Sequence, residues 1–253
     1  MAPQADTLRD AVEAYLDELP FHLALGSLAE PMRYALGGKR VRPVICLASG
    51  IAAGGELDQL LPAAAAVELI HSFSLVHDDL PSLDNDELRR GMPSVWAAYG
   101  EATAVLAGDA LVTEAFALAL VAGPAVAGEL VDATLKMIAG QQQDIEGGHD
   151  LAELHMLKTG ALFTASVMCG IWAAGLDPGR HAPWRAFASE LGLLFQIVDD
   201  VLDGDGYVTV IGEEAARSLA GEAAARAWTR LGDIDADTTV LAAIVQSLAA
   251  RSS

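Results

Sequence analysis

The stretch Asp78-Asp79-Leu80-Pro81-Ser82-Leu83-Asp84-Asn85-Asp86 concentrates carboxylates and is followed at once by Arg89-Arg90-Gly91. A second acidic cluster stands far downstream, Asp199-Asp200-Val201-Leu202-Asp203. Carboxylates this close raise one another's pKa, so a fold keeps such clusters where something cationic neutralises them. Mg²⁺ suits that role, because it takes oxygen ligands and commonly bridges protein carboxylates to the phosphates of a substrate. The adjoining arginines supply forked donors that phosphate oxygens accept. The chemistry indicated is the handling of a diphosphate.

A lone Asp-Asp pair at a helix end is usually solvated surface. Here each cluster follows strongly apolar sequence, His71 to His77 before the first and Leu191 to Val198 before the second. That context puts the carboxylates where a helix core ends, and burial there needs compensation. Basic residues are sparse enough for their placement to be informative, and Lys39, Arg40 and Arg42 fall in one short segment, Gly37-Gly38-Lys39-Arg40-Val41-Arg42-Pro43. A helix C-terminus accounts for its glycines. It does not account for the run of cations, for which an anion pocket is an equal reading.

The elements that must position these groups read as all-α. Of 253 residues, 53% are apolar, largely alanine, and only 6% aromatic, with few β-branched runs. Glycine and proline punctuation divides helical periodicity into helices near 6–19, 28–37, 42–53, 58–80, 100–121, 125–146, 150–175, 181–203, 212–231 and 236–250, in one domain over 1–253. Pro81 ends the helix just after Asp78 and Asp79, so Asp84 and Asp86 come from the turn beyond it. Asp199 and Asp203 share a helix face, with Gln196 one turn earlier.

The net charge of −20 excludes nucleic acid and anionic membrane surfaces as natural partners. The apolar run from Gly160 to Leu176 is too short and too rich in small residues for a membrane span and reads as a closely packed central helix. Asp6, Asp10, Glu13 and Asp17 lie in the first helix, which is no signal segment, so a cytoplasmic protein is expected. Cys46 and Cys169 read as buried reduced thiols.

With these motifs in place, the chain resembles the trans-polyprenyl diphosphate synthases. Gly37 to Pro43 is similar to the family's isopentenyl diphosphate segment, His77 to Gly91 to its first aspartate-rich motif, and Leu191 to Asp203 to its second. Gly100 to Leu111, Gly140-Gln141-Gln142-Gln143-Asp144 and Lys158-Thr159-Gly160-Ala161 also resemble family signatures, and the likeness runs over roughly residues 30 to 204.

The resemblance implies an isoprenoid synthase helical bundle around a deep cavity, working as a homodimer with Mg²⁺. It implies metal at Asp78, Asp79, Asp84, Asp199, Asp200 and Asp203, and an allylic diphosphate supported by Arg89, Lys158, Thr159 and Gln196. Isopentenyl diphosphate would be anchored by Lys39, Arg42, His71 and Arg90. His77 reads as a structural neighbour of the carboxylates, and Asp109 and Gln141 as interior polar groups or, alternatively, as supports of the site. His22, His149, His155 and His181 carry no usable signal.

Phe73 stands five residues before Asp78, about a turn below the metal site, where its ring would form a cavity floor. With the two extra residues inside the first motif, this resembles bacterial farnesyl diphosphate synthases and implies a fifteen-carbon product. Geranyl and geranylgeranyl products are alternatives, as is Phe73 as plain core packing.

Two departures stand out. After Asp203 the family's Gly-Lys loop and second lysine are missing, the chain running Gly204-Asp205-Gly206-Tyr207-Val208-Thr209 instead, and the C-terminal region is short, leaving Arg217 as the nearby cation. Trp96 replaces a histidine common in the family. The lost lysines imply a weaker hold on the allylic diphosphate and keep open a non-catalytic partner subunit. A terpene cyclase fits less well, since it needs no isopentenyl segment.

Overall fold

In the computed structural model, which describes residues 4–148 and 150–251, the punctuation separates the helices much as the sequence predicts. Helices α1 (Ala5–Glu18), α2 (Ala29–Ala35), α3 (Val41–Ala52) and α4 (Leu57–Asp78) lead to the first acidic cluster. A short hairpin, β1 (Leu88–Arg89) and β2 (Met92–Pro93), and helix α5 (Val95–Tyr99) connect it to α6 (Glu101–Ala122) and α7 (Pro124–Glu146). Helix α8 (Leu151–His155) passes through a π turn (Met156–Gly160) into α9 (Ala161–Ala173). Then come α10 (His181–Asp203), α11 (Tyr207–Ile211), α12 (Glu213–Gly232) and α13 (Thr239–Arg251).

Helix α9 is the hub of the bundle. It packs on α3, α4, α7 and α10, and Leu162, Phe163, Val167, Met168 and Ile171 are almost fully buried. Its position matches the expectation of a central helix, and the free thiols of Cys46 and Cys169 lie buried on α3 and α9. Burial pushes the Cys46 thiol well up and leaves it un-ionised.

The differences from the sequence reading are local. The expected helix 28–37 opens with a 3₁₀ turn (Leu23–Leu28) and stops at Ala35, and 150–175 is divided by the π turn. The hairpin and α11 were not legible. Arg90 (φ 57°) and Gly91 (φ 77°) both take positive φ at the hairpin turn, a conformation without the usual Asn-Gly signal. The strands pair antiparallel, Leu88 opposite Pro93 and Arg89 opposite Met92.

Three stretches, α4, α6 and Leu151–Ala173, are long and apolar enough to cross a bilayer by length and composition alone. In α4 and Leu151–Ala173, 61% of the most apolar window is buried inside the bundle, against 39% in α6. Helix α6 leaves Val105, Leu106, Leu120 and Val121 exposed, and α7 adds Val131, Leu135, Ile138 and Ile145.

Candidate active site

Helix α4 ends at Asp78, and the chain folds back on that end as the proline predicts. The Asp84 amide donates to the Asp78 carbonyl (2.9 Å), the Asp86 amide to the Asp79 carbonyl (3.1 Å), and the Asn85 amide to that of Leu80 (3.1 Å). The Trp96 indole donates to the Asp86 carbonyl at 2.9 Å and fastens the far side of the turn. Asp79 is buried and accepts from the Arg89 guanidinium, whose Nε lies 2.9 Å from Oδ1. Arg89 also donates to Asp86 at 3.0 Å. The Asp84 carboxylate is exposed and makes no side-chain hydrogen bond among the described residues.

Asp78 faces a cavity of about 240 Å³ whose walls include Phe73, His77, Met137, Gln141 and Lys158. Burial pushes its carboxyl up to about 6; the positive charge of Lys158 opposes this, while Asp84 and Asp79 add to it. Lys158 is held at 2.6 Å by Asp144 on α7. That pairing needs α7 to pass close to the π turn, and a Cβ at Gly140 would come 2.7 Å from the Lys158 backbone nitrogen. Thr159 follows in the same turn, half-buried.

The second cluster closes α10. Asp200 is buried with both oxygens engaged, Oδ1 by Gln196 Nε2 (2.7 Å) and Oδ2 by the Tyr207 amide (2.8 Å). His155 Nδ1 lies 3.8 Å from Oδ2, and its ring meets Tyr207 edge-on at 5.3 Å. Burial holds His155 below its ordinary pKa against the pull of Asp200. Asp199 is half-buried, and burial, then Asp203, raise its pKa while Arg251 and Arg42 oppose the shift. Each cluster thus has one carboxylate locked to protein, Asp79 or Asp200, and one that makes no side-chain hydrogen bond among the described residues, Asp78 or Asp199. Asp203, the last residue of α10, is exposed.

The segment after Gly38 divides its cations. Arg40 is buried in ion pairs with Glu68 (2.6 Å) and Glu13 (3.0 Å) and is structural. Arg42 stacks on Phe163 (4.5 Å) and Phe195 (5.7 Å), and burial lowers its pKa to about 10. With Lys39, His71 and Arg90 it lines a cavity of about 380 Å³. Burial, reinforced by the neighbouring arginines, holds His71 well below its ordinary value, so it is neutral near pH 7. The Arg90 guanidinium packs on the Gly37–Gly38 turn.

One sequence reading needs correction: Asp109 is not interior, its side chain being 61% exposed and 4.0 Å from His77. The Arg217 guanidinium donates to Glu213 one turn earlier on α12. His155 and Arg251 were missed, since nothing in their local sequence signals proximity to Asp200 or Asp199. Gln141 does line the Asp78 cavity, its Oε1 buried without a protein partner.

Among the described residues no three His, Cys, Asp or Glu side chains converge into a ready-made cage. Open carboxylates at two helix ends instead fit Mg²⁺, which keeps several waters and completes its shell with substrate phosphate.

This bundle, with acidic clusters at two helix ends and a cationic pocket beside them, defines an all-α prenyltransferase class. A family model for polyprenyl synthetase matches residues 26–223, and the chain belongs to that family. It is 37% identical over 289 residues to the farnesyl diphosphate synthase of Geobacillus stearothermophilus, covering 98% of this chain and 95% of that one. It is 43% identical over 213 residues to the chloroplastic heterodimeric geranylgeranyl pyrophosphate synthase large subunit 1 of Arabidopsis thaliana, covering 75% of this chain. The chain spans 57% of that relative's length. A solved geranyltransferase from Legionella pneumophila superposes with a TM-score of 0.88 at 30% identity, covering 98% of this chain and 96% of that one.

Proposed function

We propose that the protein condenses isopentenyl diphosphate with dimethylallyl or geranyl diphosphate to give farnesyl diphosphate. The observation that carries this reading is the pair of cavities. One is lined by Asp78, Lys158 and the aromatic Phe73, and the other by Lys39, Arg42, His71 and Arg90. Two diphosphates of different tail length match that pair.

Asp78, Asp84, Asp199 and Asp203 would hold Mg²⁺ through free oxygens and Asp79 through Oδ2, while Asp200 acts by charge because both its oxygens are engaged. When bound, Mg²⁺ supplies the positive charge that offsets the negative charge growing on the departing diphosphate. Lys158, with Thr159, Arg89 and Gln196 around it, orients the allylic diphosphate so that its C–O bond breaks toward cationic surroundings. The carbocation left behind would lie against the apolar wall that Phe73, Leu83 and Met137 give the cavity.

Lys39, Arg42 and Arg90 grip the second diphosphate, and neutral His71 donates one hydrogen bond to it. The isopentenyl double bond is thereby aimed at the cation. The new C–C bond forms, a proton passes to the released diphosphate, and a double bond is restored in a product five carbons longer. Neither side chain nor backbone acts as a nucleophile.

The apolar stripe on α6 and α7 supports a homodimer. A geranylgeranyl product is the second reading, favoured by the name of the Arabidopsis relative. The non-catalytic partner reading is disfavoured because the sequence retains both aspartate motifs together with Lys39, Arg42, Arg89, Arg90 and Lys158. Incubation with Mg²⁺, isopentenyl diphosphate and each allylic primer, followed by product-length chromatography, tests the proposal. Absence of elongation from either primer would refute it.

A further inference from the structure

A cavity of about 440 Å³ lies between the first half of α7, helix α8 with the π turn, and α10. It is larger than either cavity assigned to the reaction, about 240 and 380 Å³, and falls within the range of small-molecule sites. Met156, Leu157, Ala161 and Leu193 give it apolar walls. The acids and cations that line it are neutralised in pairs. Arg185 forks onto both oxygens of Glu129 (2.9 and 2.8 Å), and Lys136 lies 2.6 Å from Asp132. The Thr164 and Ser189 hydroxyls make no hydrogen bond among the described residues.

In a chain of net charge −20, such local balance selects for an uncharged occupant. An anion would meet Glu129 and Asp132, a cation Arg185 and Lys136, and either would have to break a pair already made. A pure hydrocarbon would leave the two free hydroxyls without partners. An apolar body carrying one hydroxyl satisfies walls and hydroxyls together, and a prenyl alcohol, the reaction's product without its diphosphate, has that form.

Two walls connect this cavity to the reaction. Gln196 and His155 line it and also approach Asp200, at 2.7 and 3.8 Å. The π turn presents Leu157 and Gly160 here and Lys158 to the cavity that Asp78 faces. Such turns are irregular and recur at functional sites.

We propose that this cavity binds an uncharged prenyl alcohol, which steadies the π turn from the side away from the Asp78 cavity. The choice of an isoprenoid rests on the prenyl-transfer reading, and the preference for an uncharged apolar ligand does not.

The test is equilibrium dialysis with radiolabelled farnesol in EDTA. It compares the wild-type chain with Ser189→Trp, which fills the cavity from an exposed position on α10, and Thr164→Val, which keeps the shape but removes a hydroxyl. Binding is expected to weaken at least about tenfold in the first and about threefold in the second, the scale of one neutral hydrogen bond. Hydrogen exchange at the amides of Met156 to Gly160 should slow with farnesol in the wild type and not in Ser189→Trp. Without farnesol both variants should elongate as the wild type does. No binding to the wild type, or binding that Ser189→Trp leaves unchanged, would overturn the proposal. So would farnesyl diphosphate showing a Ser189→Trp-sensitive component as tight as farnesol's. Thr164→Val binding as tightly as the wild type would overturn the alcohol, and unchanged exchange would overturn the steadying. Variant-sensitive farnesol binding in a protein that elongates neither primer would support the cavity and overturn the prenyl-transfer reading instead.

Discussion

The Tyr207 amide lies 2.8 Å from Oδ2 of Asp200, so the segment after the second acidic cluster is folded onto that cluster. In place of a lysine-bearing loop, the chain turns at Gly204 (φ 74°) and Gly206 (φ 45°) and enters α11 at once. The turn fixes Asp200 with backbone, and its brevity leaves Asp199 and Asp203 open.

Gly206 is required there twice over. Its φ is positive, and a Cβ would come 2.1 Å from Asp200 Oδ2. Gly206→Ala is expected to cost about 1–3 kcal/mol of stability through backbone strain and displacement of the carboxylate. It should also lower elongation more than substrate-independent folding would explain. Urea unfolding and rates measured under conditions where both proteins are folded separate the two, and a variant equal to wild type in both would refute the role of the turn.

Asp78 gives the pH dependence. Its folded pKa of about 6 lies above the ordinary carboxyl value of 3.8, so between these pH values the folded state holds a proton that the unfolded state has lost. Stability from this group is therefore full below the unfolded value, falls as pH rises toward 6, and is absent above it. Without metal, Asp78→Asn should be about 2 kcal/mol more stable than wild type at pH 8, allowing for partial exposure, with the difference fading by pH 4. Elongation, which needs the ionised group, should rise with pH in the wild type, the rise lying below pH 6 because Mg²⁺ favours the ionised carboxylate. Denaturant melts at the two pH values and a pH–rate profile measure both, and a gain equal at pH 4 and 8 would point to packing instead.

What the sequence made legible is what local pattern encodes. The helix ends at Asp78 and Asp203 follow from apolar runs stopping at acids, and Pro81 announces the turn that brings Asp84 back. The Arg40 network was illegible because Glu68 is 28 residues away and no periodicity links them. His155 sits on a helix of five residues, and only the π turn and α11 bring it to Asp200. The segment Gly37 to Arg42 looked like one cation cluster, yet burial split it into a structural Arg40, a stacked Arg42 and a solvent-facing Lys39. Three-dimensional partners, not residue types, made that division.

The exposed stripe on α6 and α7 predicts self-association. Leu135 is 62% exposed and Ile138 52%, in a chain whose charge of −20 would make most copies of its surface repel one another. An apolar face of this extent marks an interface. Leu135→Asp with Ile138→Asp should convert a dimer to a monomer in sedimentation velocity, with α-helical circular dichroism unchanged. A wild-type monomer at micromolar concentration would sink this reading.

Phe73 governs the last prediction. Its ring meets His77 edge-on at 5.1 Å, and His77 Nε2 lies 3.0 Å from the Val105 carbonyl on α6. The ring is thus braced by the helix that carries the metal-site carboxylates and by its neighbour, and it lines the cavity headed by Asp78. Phe73→Ala deepens that cavity and should shift the product from fifteen carbons to twenty or more, at a stability cost of about 1–3 kcal/mol for a partly buried ring. His77→Ala keeps the ring but removes its brace, so a mixture of lengths is expected. If both variants still stop at fifteen carbons, the floor lies elsewhere along the α7 wall, where Met137 and Ile138 face the same space.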